Sequence, residues 1–302
     1  MPASILDTLH ELTDGFRLVA CRLEGSVKFE FHKSLCFPIG EQPFYYSTIG
    51  EKVTVTLPPS AMFWGCSAKM TVTSENEYNN SRRNLIKMEI TWYGHSCFRL
   101  TERSMATVVT DPYDNTSIGY DPIKLKADIV TISHDASGHN NTKAVKGTSH
   151  VITGPGEFEI GGVFITAVQT NGQDKDNDNE LRNTLYVFDY DGITVAHLGD
   201  LKRVPSQKEV ETLGAVNVAL VPVGGGGGLN AAKAAEVISL LEPNIVIPMH
   251  YATKDSKLKL DSLDKFLKEM GLSKSESEPS LKVTRSGLPD ETHVVVLDYQ
   301  RN

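Results

Sequence analysis

An α/β arrangement of packed sheets with outer helices is predicted by three observations. From Met88 onward, short apolar runs rich in β-branched residues alternate with turns and amphipathic helices. Four of these runs stop at an aspartate or histidine: Asp111, His134, Asp200 and His250. Gly- and Pro-bearing turns separate them, including Asp191-Gly192, a strong hairpin signal.

Residues 1–87 do not share this pattern. They hold nine Lys/Arg and nine Asp/Glu, so the whole net charge of −8 falls on residues 88–302. Ser4–Leu12 is compatible with a short helix and Lys52–Leu57 (KVTVTL) with an alternating strand, yet no sustained period links them. Ser74–Arg83 (SENEYNNSRR) reads as a polar linker. The expected division is therefore a poorly patterned extension over 1–87 and a folded domain over 88–302. Met88 opens the first clean strand, which makes it a candidate natural start with translated upstream sequence before it. A genuine small domain is the alternative.

The elements of the second part follow in order. Met88–Tyr93 and Thr107–Thr110 are strands, the latter ending in Asp111-Pro112. Ala127–Ser133 is another and delivers His134, with Asp135 and His139 just beyond. His150–Thr153 and Val163–Val168 are joined through Gly154-Pro155-Gly156 and Gly161-Gly162, and Gln173–Leu181 is a solvated loop. Thr184–Tyr190 and Ile193–Leu198 form the hairpin around Asp191-Gly192. Val216–Val223 runs into Gly224–Gly228, and Ala231–Leu241 is a helix stopped by Pro243. Asn244–Pro248 leads to His250; Asp261–Met270 is a helix with Asp261 as N-cap and Gly271 as its stop. Leu281–Thr284 and His293–Leu297 are read as a closing strand pair.

Composition narrows the function classes. No apolar run approaches the roughly 20 residues that span a bilayer, and the first 30 residues lack the pattern of a signal peptide. The expected location is the cytoplasm, without a membrane partner. The net charge of −8 weighs against nucleic acid, whose binders usually carry basic faces. Cys21, Cys36, Cys66 and Cys97 have no CxxC spacing and read as reduced thiols. A small-molecule substrate is the partner these features favour; oligomerisation stays open.

Strand carboxyl ends of α/β proteins gather on one rim, where sites are usually built. One histidine after a strand is most often structural. Four Asp/His strand ends in one domain are better explained by a site, and imidazole with carboxylate suits zinc, iron or manganese.

Four words make the pattern specific: Tyr93-Gly94-His95-Ser96-Cys97-Phe98, Thr110-Asp111-Pro112, His197-Leu198-Gly199-Asp200 and Pro248-Met249-His250-Tyr251. In their order, residues 88–302 resemble the metallo-β-lactamase fold, in particular its small cytoplasmic metal-dependent hydrolases similar to ascorbate-lactone hydrolases. The resemblance implies a four-layer αββα sandwich. It also implies a His-x-His-x-Asp-His word, which here begins at His134 and ends at His139, with Ala136 and Gly138 in place of the second histidine and the aspartate. A further histidine is expected after Val168, where Gln169–Gln173 has none. The implied metal ligands that remain are His134, His139, Asp200 and His250.

The implied chemistry is hydrolysis of an ester, amide or phosphodiester by a water that a metal has acidified. The place of the group that would help deprotonate it falls on Gly138. Asp135 is the nearby carboxylate able to substitute, with a helix N-cap as its plain alternative. His95 is expected at the rim as substrate contact or proton donor, or as a shaper of its turn. Gly224–Gly228 lacks the Gly-Lys-Ser/Thr ending of a nucleotide loop and reads as a lip beside the pocket. The leading expectation is a hydrolase with a reduced, single-metal site, zinc first with iron or manganese as alternatives. The competing one is a binding or scaffold relative that kept the fold and holds no metal.

Overall fold

The computed structural model describes residues 88–170 and 182–301, together with six strands within residues 19–74. The chain divides into two compact units, Met1–Arg83 and Asn84–Asn302. In the first, Val19–Leu23 pairs antiparallel with Ser26–Glu30, Leu35–Ile39 with Gln42–Tyr46, and Val53–Thr56 with Thr71–Ser74. The expected strand at Lys52–Leu57 is among these. The helix expected at Ser4–Leu12, the linker after Ser74 and the loop at Gln173–Leu181 lie outside the described residues.

The second unit contains two large sheets and two short strand pairs, Leu125–Lys126 with Val145–Lys146 and Ser277–Glu278 with Val296–Leu297. The strands of the first are β1 (Met88–Trp92), β2 (Phe98–Thr101), β3 (Val108–Thr110), β4 (Ile129–Thr131) and β5 (His150–Ile152). The second is built from β6 (Gly156–Ile160), β7 (Val163–Thr170), β8 (Asn183–Asp189), β9 (Thr194–His197), β10 (Val218–Pro222) and β11 (Ile245–Met249). Two late strands close them, β12 (Leu281–Val283) and β13 (His293–Val294). The spatial orders are β5-β4-β3-β2-β1-β12 and β6-β7-β8-β9-β10-β11-β13. The expected closing pair is thus corrected: β12 lies antiparallel to β1 and β13 parallel to β11, so the two strands finish different sheets. Their sequence proximity suggested a hairpin, but each sheet offered an unpaired edge that satisfies the backbone equally well.

Period-2 alternation builds the layers. Val108 and Ile129 belong to the core between the sheets, whereas their neighbours Val109 and Val130 belong to a cluster with Tyr113, Ile118, Tyr120 and Ile123 on the outer side of the first sheet. β8 is buried along nearly its whole length, with Tyr186 and Phe188 stacked on the face toward the first sheet and Leu185 and Val187 on the opposite face. Truncating Phe188 to alanine would cost about 3–5 kcal/mol. Two tyrosines tie the sheets together: Tyr186 donates to the Ile132 carbonyl at 2.8 Å, and Tyr190 to the Ala106 carbonyl at 3.0 Å. Buried Tyr hydroxyls that find acceptors add orientation to area burial.

The helices are few. α1 is the single turn Asn115–Ile118, capped by Asp114, and forms part of the outer layer on the first sheet. α2 (Gln207–Leu213) carries a capping box from Ser206 and Glu209. α3 (Ala231–Leu241) starts at the Asn230 cap and buries Ala234, Val237, Ile238 and Leu241. α4 (Leu263–Glu269) begins at Ser262, not at the expected Asp261, whose carboxylate instead pairs with Lys265. The result is a metallo-β-lactamase αββα sandwich with a thin helical layer over its first sheet. Among the described residues no helix is long and apolar enough to cross a membrane.

Candidate metal centre

The parallel strands of both sheets end at the same rim. β3 leads to Asp111, β4 to Ser133 and His134, and the turn that follows carries His139. From the second sheet, β9 leads through Gly199 to Asp200, and β11 to His250. The β1–β2 turn supplies His95, whose carbonyl accepts from Trp92 Nε1 at 3.0 Å and from the His250 amide at 3.2 Å. That carbonyl locks the turn to the end of β11.

His95, Asp111 and His250 all adopt left-handed backbone, with φ of 53°, 40° and 54°. Side chains rarely tolerate this region, and such residues cluster at functional sites. Among the described residues only Asp191, in the β8–β9 hairpin, and Glu242, the C-cap of α3, share it without being Gly.

Asp111 is fully buried and fully occupied. It accepts from the Ser133 amide at 2.7 Å, from the Ser133 hydroxyl and from His139 Nδ1 at 2.8 Å. Burial alone would push its carboxyl pKa up. The His139 hydrogen bond and charge, the nearby His197 and Ser133 together bring it down to about 2. An ionised Asp111 fixes a proton on His139 Nδ1 and leaves the Nε2 lone pair facing the cluster, where it accepts from His95 Nε2. His139 Nε2 lies 3.1 Å from His95 Nε2, and the His95 ring is centred 4.2 Å from that of His250.

These three histidines are the group that can hold a metal: one nitrogen from each lies within 4.8 Å of the others, and all three are buried. His134 sits beside them, its ring centred 4.0 Å from that of His139 and its Nδ1 3.0 Å from the Ser133 hydroxyl. Asp200 completes the rim, with Oδ1 3.8 Å from His250 Nε2. Burial lowers the pKa of His95 far below the ordinary value and that of His134 to about 4, with neighbouring imidazoles adding to both effects. Burial also lowers His250, partly opposed by Asp200. His95, His134 and His250 are therefore neutral at pH 7, the form that ligates metals.

The donor set fits a cation. His95 Nδ1, His250 Nδ1 and Asp200 Oδ1 are buried with no hydrogen-bond partner among the described residues. Buried polar atoms are normally satisfied, and the Asp200 oxygen, 3.8 Å from His250 Nε2, is one that an ion or a bound ligand would relieve. The chemistry, imidazoles with one carboxylate, is that of borderline divalent metals.

The sequence-derived set is distributed unevenly. His134, His139, Asp200 and His250 come together at this rim, and His95 stands within the cluster instead of at its edge. Asp135 is exposed and accepts from Asn140 Nδ2 at 2.6 Å. It caps no helix, because the chain enters a turn there. The pairing of Asp111 with His139 is not part of the sequence reading, where Asp111 stands only as a strand end and within the Thr110-Asp111-Pro112 word. His197 donates from Nε2 to the Ser96 carbonyl at 2.9 Å, and Cys97 is fully buried, its thiol pushed well up by burial. The glycine run lines the rim as a wall: Gly224 packs on the His250 carbonyl, and Gly228 leaves no room for a Cβ beside Asp200 Oδ1.

Comparison with known proteins agrees with this architecture. The family described as the beta-lactamase superfamily domain matches residues 89–250, and the chain belongs to that superfamily. Within it, the chain is similar to a UPF0173 metal-dependent hydrolase of Thermoplasma acidophilum, 29% identical over 56% of this chain and 85% of the relative. It is also similar to a UPF0173 protein of Pyrococcus abyssi, 29% identical over 55% of this chain and 84% of that one. A solved structure from Thermotoga maritima, described as a candidate Zn-dependent hydrolase of the metallo-beta-lactamase superfamily, is 38% identical. It covers 70% of this chain and 98% of its own, with a TM-score of 0.57.

Proposed function

We propose that this chain is a cytoplasmic hydrolase of small molecules that works with one divalent metal, zinc first among the candidates. The observation that carries the reading is the convergence of three buried imidazoles within 4.8 Å beside a carboxylate with an unpartnered oxygen. The metal-dependent hydrolases named above, similar over most of their length, support it. His95, His139 and His250 would hold the metal, with Asp200 beside them. A divalent cation there supplies Lewis acidity and a water of lowered pKa.

The protein's own groups have separate tasks. Asp111 keeps the Nδ1 proton on His139, so that Nε2 stays a donor of electrons. Ser133 fixes Asp111 and contacts His134, which lines the same side. Asp200, with Oδ1 unpartnered, is the carboxylate able to receive a proton from an attacking water. The lost carboxylate at Gly138 and the exposed Asp135 support a single metal over a pair.

The test is metal analysis of protein purified without chelator and reconstituted with zinc, iron or manganese, alongside His139→Ala and His250→Ala. One metal per chain, lost in both variants, is expected. Protein that retains no metal under all three conditions would overturn the reading. One observation favours the competing reading, a binding relative without turnover: Asp135 is exposed to solvent. Metal-loaded protein inert toward ester, lactone, amide and phosphodiester panels would support that alternative.

A further inference from the structure

We infer that His95 supplies the metal ligand whose place the chain has emptied at Gly138, the two positions sharing one volume. The inference rests on the proposed metal-dependent reading and adds the identity of a ligand to it. Its basis is geometric. A Cβ built on Gly138 would lie 3.0 Å from His95 Nε2 and 3.4 Å from Cδ2, tighter than ordinary packing. Any side chain at 138 would thus be aimed at the imidazole that now stands 3.1 Å from His139 Nε2. The third atom near that Cβ is the Ile118 methyl at 3.3 Å, so the α1 layer blocks escape on the far side.

His95 is also held for this purpose by its backbone. Its left-handed φ of 53° turns the side chain in from the β1–β2 turn, and its carbonyl is clamped by two donors, Trp92 Nε1 and the His250 amide. The clamp couples His95 to β11, the strand that delivers His250. A residue only shaping its turn would not need its imidazole 2% exposed with Nδ1 unpartnered among three other imidazoles. A substrate contact at the rim would be more open than that. In this arrangement a ring from the first turn of the domain takes the post of a side chain 43 residues later.

The test uses the full chain and cobalt(II), whose visible absorption reports the ligand set independently of activity. Wild-type protein is expected to bind one cobalt. His95→Ala is expected to weaken binding by more than the roughly 10–100-fold that losing an outer-shell partner costs. Gly138→Asp alone should also bind poorly, because carboxylate and imidazole collide. The double variant His95→Ala/Gly138→Asp should recover affinity to within about tenfold of wild type, with an altered cobalt spectrum as a carboxylate replaces an imidazole. Far-UV circular dichroism and thermal melting establish that each variant is folded. If His95→Ala binds cobalt like wild type while His139→Ala does not, the inference fails and the metal site stands. A double variant no better than His95→Ala overturns the shared place of residues 95 and 138. If wild type binds no metal, the functional reading falls, and this inference with it.

Discussion

The two sheets bring opposite kinds of chemistry to the rim. On the first-sheet side, Asp111, Ser133 and His139 form a closed network in which every oxygen of the buried carboxylate is used. On the second-sheet side, Asp200 Oδ1 and His250 Nδ1 are buried without partners, and the two residues stand 3.8 Å apart at their nearest, beyond hydrogen-bond reach. The first side is therefore built for rigidity and the second for capture. A site that must grip an ion needs both, since orienting groups work only if their own geometry is already paid for in folding.

The comparison is sharpest at Asp111. Asp111→Ala would strand the His139 Nδ1 proton and both Ser133 donors in the interior. It should destabilise the metal-free protein by about 3–5 kcal/mol, read by urea unfolding. A loss below 1 kcal/mol would mean the network is not rigidifying. Next, saturating zinc should raise stability by about 2.7 kcal/mol at a hundredfold excess over Kd, measured from the melting temperature. The gain should vanish in His250→Ala.

Acidification tests the neutral histidines. His134, with a folded pKa of about 4 against 6.5 when free, binds its proton in the unfolded chain first. Stability should therefore fall as pH drops from 7 toward 4, by roughly 2 kcal/mol between pH 7 and 5. Asp111, lowered to about 2, adds a further loss only below pH 4. Urea midpoints of metal-free protein across this range would reveal a flat profile if the imidazoles were solvated instead.

Gly228→Ala should cost about 1–2 kcal/mol, because its methyl meets the Asp200 carboxylate. Metal affinity should fall with it in isothermal titration. Asp200→Asn is the mildest case: with no partner to lose, metal-free stability should stay within about 0.5 kcal/mol while metal affinity drops. A large stability loss there would place Asp200 in the rigid half.

Much of this was legible in the chain. The β8–β9 hairpin follows from Asp191-Gly192, both with positive φ, and α3 spans the predicted Ala231–Leu241. Strand ends at Asp111, His134, Asp200 and His250 marked the rim, because apolar period breaks where a strand leaves the core. β6 lies outside the predicted strands: Phe158 and Ile160 do alternate with exposed Glu157 and Glu159, but the glycines on both sides of this short run read as turns. Partner choice for β12 and β13 was also out of reach, since an edge strand's hydrogen bonds are set by which edge is free.

What the sequence by itself determined is the superfamily, the strand ends that carry Asp111, His134, Asp200 and His250, and the presence of Ala136 and Gly138 between His134 and His139. Local residue pattern is enough for these, as strand periodicity and short words are read along the chain. What only the tertiary structure decided is that the His95 ring meets Gly138 and that Asp111 holds the His139 ring. His95 lies 43 residues before Gly138 and Asp111 lies 28 before His139. Contacts across such distances exist only once two sheets close on a common core, and no local pattern encodes which rings then meet.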